Sequence, residues 1–232
     1  MNIVITGGAR GIGKAIAAQF AEEGHTLFLC ARNKAVLENT AQELILKFPS
    51  CRVHVMTADL SDKKQAEAFG DWCLQFATPD ILINNAGGYV PGNIADEREG
   101  NLEAMMGNNL YSAYYITRQL LPKMIANRSG HIFNICSVAS LEAYEGGGSY
   151  SISKFAMNGF SKNLRHELKK HQIKVTAVFP GAVFTDSWGD FDNSAHRIME
   201  AGDIAAMILA ATKLSAAAVP EEIILRPQLG DL

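Results

Sequence analysis

The chain predicts a doubly wound α/β fold, a single domain in which a parallel sheet carries helices on both faces. Three observations lead there. Short apolar runs rich in branched residues alternate with longer stretches of helical spacing, the pattern of parallel strands joined by right-handed crossovers. No internal repeat, low-complexity tract or proline- and glycine-rich linker separates two units. The longest irregular segments, GGYVPGNIADEREG and FTDSWGDFDNSAH, each follow a strand-like run, as expected where ligands bind beyond the carboxyl ends of strands.

In chain order, NIVIT begins at Asn2 and predicts the first strand, and TGGARGIGKAIA turns from it into a helix near 11–23. TLFLCA precedes a helical stretch at 33–48, and RVHVM one at 61–77. DILINN leads through the first long loop to helical spacing over 99–126, and HIFNIC to a helix over 150–171. IKVTAVF, the second long loop, a helix over 196–213 and the strand EEIILR complete the alternation. The apolar stretch IAAMILAATKLSAAA is flanked by Asp203 and interrupted by Lys213, so it reads as a core helix and falls short of a membrane span.

Composition narrows the function classes. The chain has 232 residues, 48% hydrophobic and 19% charged, with a formal net charge of -3. Without a run of lysine and arginine, it lacks the basic surface that nucleic acids and anionic membranes require. Cys30, Cys51, Cys73 and Cys136 form no CxxC pair, which suits free buried thiols in a reducing compartment. NIVIT leaves no room for a signal peptide, so the expected location is cytoplasmic, and NRS at Asn127 reads as a chance glycosylation match. The histidines at 25, 54, 131, 166, 171 and 196 make no HExxH or Cys/His cluster, so no metal site is expected. Met105, Met106, Tyr111, Tyr114 and Tyr115 read as helix packing.

The stretch YSISK poses a chemical question. A phenol titrating near roughly pH 10 is a poor base at neutrality. On a helix, however, Lys154 lies one turn from Tyr150, and a charge about 4 Å away at an effective dielectric of about 20 favours the phenolate by roughly 4 kcal/mol. Upstream, Gly7, Gly11 and Gly13 let the backbone approach a pyrophosphate resting on the N-terminus of the following helix. Gly8, Gly13 and Lys14 also fit GxxxxGK, but Ala15 replaces the hydroxyl that would hold Mg²⁺, which argues against a nucleoside triphosphatase.

TGGARGIG resembles the TGxxxGxG loop of the short-chain dehydrogenase/reductase family, in its compact branch. NNAG at 84–87, NNL at 108–110, NICS at 134–137, YSISK at 150–154 and PGAVFT at 180–185 follow in the family's order, so the resemblance spans essentially the whole chain. It implies a seven-stranded sheet with a nicotinamide dinucleotide across its switch point, a cofactor-binding half over about 1–90 and a catalytic half over about 91–232. By the same resemblance Tyr150 is the general acid/base, Lys154 the cation that supports it and binds the nicotinamide ribose, Ser137 the residue orienting the substrate oxygen, and Asn109 the support of a proton-relaying water. Asn109 reads equally as a polar residue kinking or capping a helix. The implied cofactor contacts are Gly7, Arg10, Gly11, Ile12 and Gly13, then Asn85, Ala86 and Gly87, and finally Pro180, Gly181, Val183 and Thr185, with Tyr150 and Lys154 at the ribose. Asn85 would meet the ribose region or stabilise the sheet, and Asp59 would meet the adenine or serve as a helix N-terminal carboxylate.

Sites that prefer NAD place a carboxylate about 20 residues past the glycine loop. Here LCARN offers none, while Arg10 and Arg32 are planar cations suited to a 2′-phosphate. NADP (NADPH) is therefore the expected cofactor, and an aspartate at Cys30 the change expected to favour NADH. Trp188 and Phe191, beside Asp186, Asp190 and Asp192, predict an apolar floor with an acidic rim. That favours a small carbonyl or secondary alcohol over a 3-oxoacyl thioester on an acyl-carrier protein. An NADP-sensing regulator without catalysis is the reading from another class. In relatives the helices matching 99–126 and 150–171 form subunit contacts, which implies a homodimer or homotetramer.

Overall fold

The structure is a computed structural model and describes residues 1–231; the last residue of the expected domain, Leu232, lies outside the described residues. The chain runs β1 (Asn2–Thr6), α1 (Gly11–Glu22), β2 (Thr26–Ala31), α2 (Lys34–Lys47), β3 (Arg52–Thr57), α3 (Lys63–Phe76), β4 (Ile81–Asn84) and α4 (Asn101–Met106). It continues through α5 (Ser112–Asn127), β5 (His131–Ile135), α6 (Gly148–Leu168), β6 (Lys174–Pro180), β7 (Val183–Phe184), β8 (Met199–Glu200), α7 (Ala201–Thr212) and β9 (Glu222–Leu225). Seven strands form one sheet in the order β3-β2-β1-β4-β5-β6-β9, every neighbouring pair parallel. The order reverses between β1 and β4, so the segments leaving these two strands diverge and open a crevice at the switch point.

Alternation along the strands divides the core. Ile3 and Ile5 of β1, with Leu27 and Leu29 of β2, pack in one layer with Ile16 and Phe20 of α1 and Ile204 and Ile208 of α7. Val4 and Phe28, from the same strands, pack in the other with Phe69 of α3, Ile116 and Leu120 of α5 and Leu164 of α6. Apolar residues on both strand faces are what a sheet covered on both sides requires. Asn33 starts α2 by accepting from the Val36 amide at 3.1 Å, and Asp62 starts α3 by accepting from Lys64 and Gln65.

Three boundaries differ from the periodicity. The helical stretch over 99–126 is broken by a π-turn at Gly107–Tyr111, centred on Asn109. The helix α6, expected from Tyr150, starts at Gly148. The helix expected from 196 starts at Ala201, because Met199 and Glu200 pair with Val183 and Phe184 in a second, two-stranded sheet. Such short pairings carry too little periodicity to be read from sequence. Tyr111 and Tyr114, expected to pack, are 44% and 38% exposed.

One buried group makes stability depend on pH. His131 is held between strands, its ring stacked on Phe133 with centroids 3.9 Å apart. Thr176 Oγ1 donates to the Pro220 carbonyl at 2.6 Å, so His131 donates its Nε2–H to Thr176 Oγ1 at 2.7 Å. Burial, reinforced by Lys174, lowers its pKa to about 3. The unfolded chain takes up this proton below about pH 6.5 while the folded chain does so only near 3, so stability falls with decreasing pH across that window. The expected loss is about 1.4 kcal/mol per pH unit, or roughly 2 kcal/mol between pH 6.5 and 5. Denaturant titrations at pH 7 and pH 5 check this: His131→Gln, which keeps a donor without the titration, should flatten the difference.

Candidate active site

The glycine loop leaves β1 and doubles back against the end of β4. Gly7 and Gly11 sit at φ +65° and +53°, and a Cβ on Gly13 would come 2.2 Å from the Gly7 carbonyl oxygen, so α1 closes on the loop only because residue 13 is glycine. Asn85 fastens this arrangement: its Nδ2 donates to the carbonyls of Thr6 at 3.0 Å and Gly7 at 3.1 Å. Thr6 Oγ1 accepts from the amides of Asn85 and Ala86, each at 2.9 Å. Asn85 thus ties the end of β4 to the glycine loop while also lining the crevice.

The crevice beyond these strand ends encloses about 1320 Å³, larger than ordinary small-molecule pockets of about 300–1,000 Å³. One end is lined by Arg10, Arg32 and Asp59, the centre by Gly7, Gly11, Ile12, Asn85, Ala86 and Gly87, and the other end by Ser137, Tyr150, Lys154, Pro180, Gly181, Val183 and Thr185. Two sequence-predicted residues do not reach the wall. Gly13 is buried under the loop, and Asn109, 1% exposed, lies behind it. Lys14 turns away to pair with Glu43 at 2.5 Å, so it is not placed as a phosphate-loop lysine. Asp59 accepts from the amide and hydroxyl of Ser61 at 3.0 and 2.7 Å, while Asp62 is the residue that caps α3.

Ser137, Tyr150 and Lys154 converge from different elements. Ser137 lies two residues past β5 and caps the short turn Val138–Ser140; its Oγ accepts from the Ala139 amide at 3.2 Å and reaches the Pro180 carbonyl at 3.5 Å. The second contact sits at the limit of a hydrogen bond, so the hydroxyl is easily turned to another acceptor. Lys154 is buried, donates to the Ile135 carbonyl at 2.9 Å, and holds its Nζ 5.8 Å from the Tyr150 ring centre. The Tyr150 ring meets Tyr89 edge-on, centroids 4.8 Å apart at 84°. Asn109 is fully engaged behind them: Oδ1 accepts from the Gly88 amide at 2.7 Å, and Nδ2 donates to the Gly88 carbonyl at 3.0 Å and to Ser153 Oγ at 2.8 Å.

The end of the crevice expected to take a substrate departs from its expected make-up. Asp186 and Trp188 line it, but Phe191, Asp190 and Asp192 do not. Phe191 packs on the Trp188 ring with centroids 5.1 Å apart, Trp188 donates its indole N–H to the Val183 carbonyl at 2.8 Å, and Asp192 accepts from the Ser194 amide and hydroxyl. The wall is instead completed by Tyr89, Glu142, Tyr144 and Asp231. Arg226 ion-pairs with Glu142 and Asp231, and Arg197 donates to the carbonyls of Gly230 and Asp231 at 2.9 and 3.1 Å, which fastens Gly230 and Asp231 in place. Partial burial, together with Tyr89, raises the Tyr144 phenol above its usual range. Tyr89 belongs to the long loop GGYVPGNIADEREG, expected to wall the ligand crevice; nothing local in the sequence ties Asp231 to a site made by residues far upstream.

A parallel sheet whose glycine loop lies at the switch point, in one crevice with Ser137, Tyr150 and Lys154, defines the Rossmann class. Within it, the chain belongs to the short-chain dehydrogenase/reductase family, whose model for short chain dehydrogenases matches residues 1–195. The chain is 34% identical over 239 residues to sepiapterin reductase of Chlorobaculum tepidum, covering 99% of this chain and 97% of that protein. The structure of an alcohol dehydrogenase from the archaeon Thermococcus sibiricus, complexed with 5-hydroxy-NADP, matches with a TM-score of 0.91 and 26% identity over 100% of this chain and 98% of that one. A 3-oxoacyl-[acyl-carrier protein] reductase from Brucella melitensis matches with a TM-score of 0.87 and 28% identity, covering 97% and 89%. Among the described residues no helix is long and apolar enough to cross a membrane, and no group of three or more His, Cys, Asp or Glu is placed to hold a metal ion.

Proposed function

We propose that this chain is an NADP-dependent oxidoreductase that interconverts a small carbonyl compound and its secondary alcohol. The observation that carries this reading is the convergence of Ser137, Tyr150 and Lys154 at one end of a crevice whose other end presents Arg10 and Arg32. The crevice fits a dinucleotide: its volume leaves room for cofactor and substrate together, and the missing Cβ at Gly13 lets the loop close to the depth a pyrophosphate needs. Arg10 and Arg32 would hold the 2′-phosphate, Asp59 would flank the adenine, and Lys154 with the segment from Pro180 to Thr185 would flank the nicotinamide. When bound, NADPH supplies the hydride.

The chain's own residues manage the oxygen. Negative charge grows on the substrate oxygen as the carbon is reduced, and a prepositioned hydroxyl donor stabilises it. Ser137, whose contact to Pro180 is readily exchanged, serves as that donor, and Tyr150 delivers the proton as general acid. Lys154, anchored on the Ile135 carbonyl, keeps a positive charge near the phenol. Asn109 contributes by fixing Gly88 and Ser153; its amide holds the wall around the reacting groups.

The substrate end favours a small neutral or cationic carbonyl. Glu142, Asp186 and Asp231 place three carboxylates on this wall, partly offset by Arg226, and such a rim repels a polyanionic carrier. The 3-oxoacyl thioester is therefore the second reading, kept by the Brucella neighbour. A non-catalytic NADP sensor would have no use for the three converging hydroxyl and ammonium groups. Subunit contact through α5 and α6 is supported by the exposed Tyr111, Tyr114, Ile152 and Phe155, which suits a homodimer or homotetramer. The test is a panel of ketones, aldehydes, sepiapterin and acyl thioesters, followed by NADPH absorbance. Oxidation of NADPH with a small carbonyl is the expected result, turnover confined to acyl thioesters selects the second reading, and no turnover with any member overturns the assignment as an enzyme.

A further inference from the structure

We propose that Glu97 is a positioning residue for Tyr150, a role that rests on Tyr150 being the acid/base. The first turn of a helix leaves amide groups without intrahelical partners, and α6 begins from Gly147 with no side-chain cap of its own. A loop far upstream supplies the partner. Glu97 accepts from Ser149, the residue next to Tyr150, through the hydroxyl to Oε1 at 2.5 Å and the backbone amide to Oε2 at 3.3 Å. A carboxylate at this end of a helix is also favoured by the helix dipole.

Neighbouring contacts make the grip extensive. Asn93 Oδ1 accepts from the Gly146 amide at 2.9 Å, and the Gly92 amide donates to the Gly146 carbonyl at 3.0 Å. Gly148 sits at φ +32°, where a Cβ would come 2.3 Å from the Gly92 carbonyl oxygen and 3.1 Å from Glu97 Oε2; the loop and the helix start meet backbone to backbone. The other end of the same loop is fixed to α6 as well, because Asn109 holds Gly88 and donates to Ser153 Oγ at 2.8 Å. Tyr89, between these two attachments, lies edge-on against Tyr150. The loop between β4 and α4 is thus fastened to α6 on both sides of Tyr150. Glu97 itself does not line the crevice, so it acts through Ser149 and not on substrate.

The test combines a measurement without substrate and one with it. Amide hydrogen exchange of the free protein should speed up at residues 149–151 in Glu97→Ala and in Ser149→Ala while the sheet is unchanged. With 2,3-butanedione or the best panel carbonyl, Glu97→Ala should lower kcat about 10- to 100-fold, in line with the cost of misplacing a reacting group by about 1 Å, and leave the KM for NADPH at its wild-type value. Glu97→Gln, which keeps an acceptor for the Ser149 hydroxyl, should restore most of the loss, and the Glu97→Ala/Ser149→Ala pair should be no worse than either alone. Unchanged exchange at 149–151, a wild-type kcat in Glu97→Ala, or multiplying losses in the double variant would each overturn the proposal. Should Glu97→Ala fail to fold, the exchange and kcat of Ser149→Ala and Glu97→Gln still decide it. Tyr150→Phe assayed alongside keeps the two ideas apart: activity retained there overturns the acid/base assignment, whereas an inactive Tyr150→Phe with a fully active Glu97→Ala overturns only the positioning role.

Discussion

Tyr150→Phe is expected to reduce kcat by about 10²–10⁴-fold while leaving the fold and NADPH affinity nearly intact, because the phenol is the one proton donor proposed at the reacting oxygen. The structure explains why the damage should be confined to chemistry. The edge-on packing against Tyr89 belongs to the ring, which phenylalanine preserves, and the Lys154 anchor on the Ile135 carbonyl is made without the phenol oxygen. Single-turnover kinetics with the best panel substrate, thermal denaturation and NADPH titration by nicotinamide fluorescence check the three parts. A variant that keeps more than about a tenth of the wild-type rate would show that the proton comes from elsewhere.

Cofactor discrimination should respond nearly as sharply to Arg32→Ala. Charge-assisted hydrogen bonds contribute roughly 1.5–3 kcal/mol, or about 10- to 150-fold in affinity, and only NADPH carries the phosphate that collects them. Arg10 and Arg32 are exposed on the same end of the crevice, so NADPH binding should weaken while NADH binding stays almost unchanged. Equal, small changes for both cofactors would mean that the arginine merely solvates its loop. The structure corrects the companion substitution. Cys30 is 1% exposed and burial pushes its thiol up to about 12; an aspartate there would be a desolvated carboxylate, costly and pointed into the core. The half-buried Ala31, which lines the crevice, is the position where a carboxylate should both bind the ribose hydroxyls and repel the phosphate. Ala31→Asp added to Arg32→Ala should turn the preference to NADH, measured by the same fluorescence titration.

What the sequence determined by itself is whatever rests on local chemistry or short periods. Strands such as NIVIT and TLFLCA are apolar on both faces because both are covered, and the alternation with helical stretches leaves little but a parallel, doubly wound sheet. The glycine loop and YSISK were legible for the same reason: a close backbone approach, or a phenol one turn from an ammonium, is specified within a dozen residues. Only the tertiary structure decided the rest, because it depends on which distant segments meet. The π-turn at Asn109 comes with an amide committed to Gly88 and Ser153, contacts that link residues 88, 109 and 153. The acidic wall is made by Glu142, Asp186 and Asp231 rather than by Asp186, Asp190 and Asp192, since side chains in one loop point in different directions and Asp192 accepts from the neighbouring Ser194. Glu97 gains its role only because the fold lays its loop across the start of α6. A periodic pattern records which face of an element is covered, but the partner that covers it, and the direction of each side chain in an irregular loop, follow from packing across the whole chain.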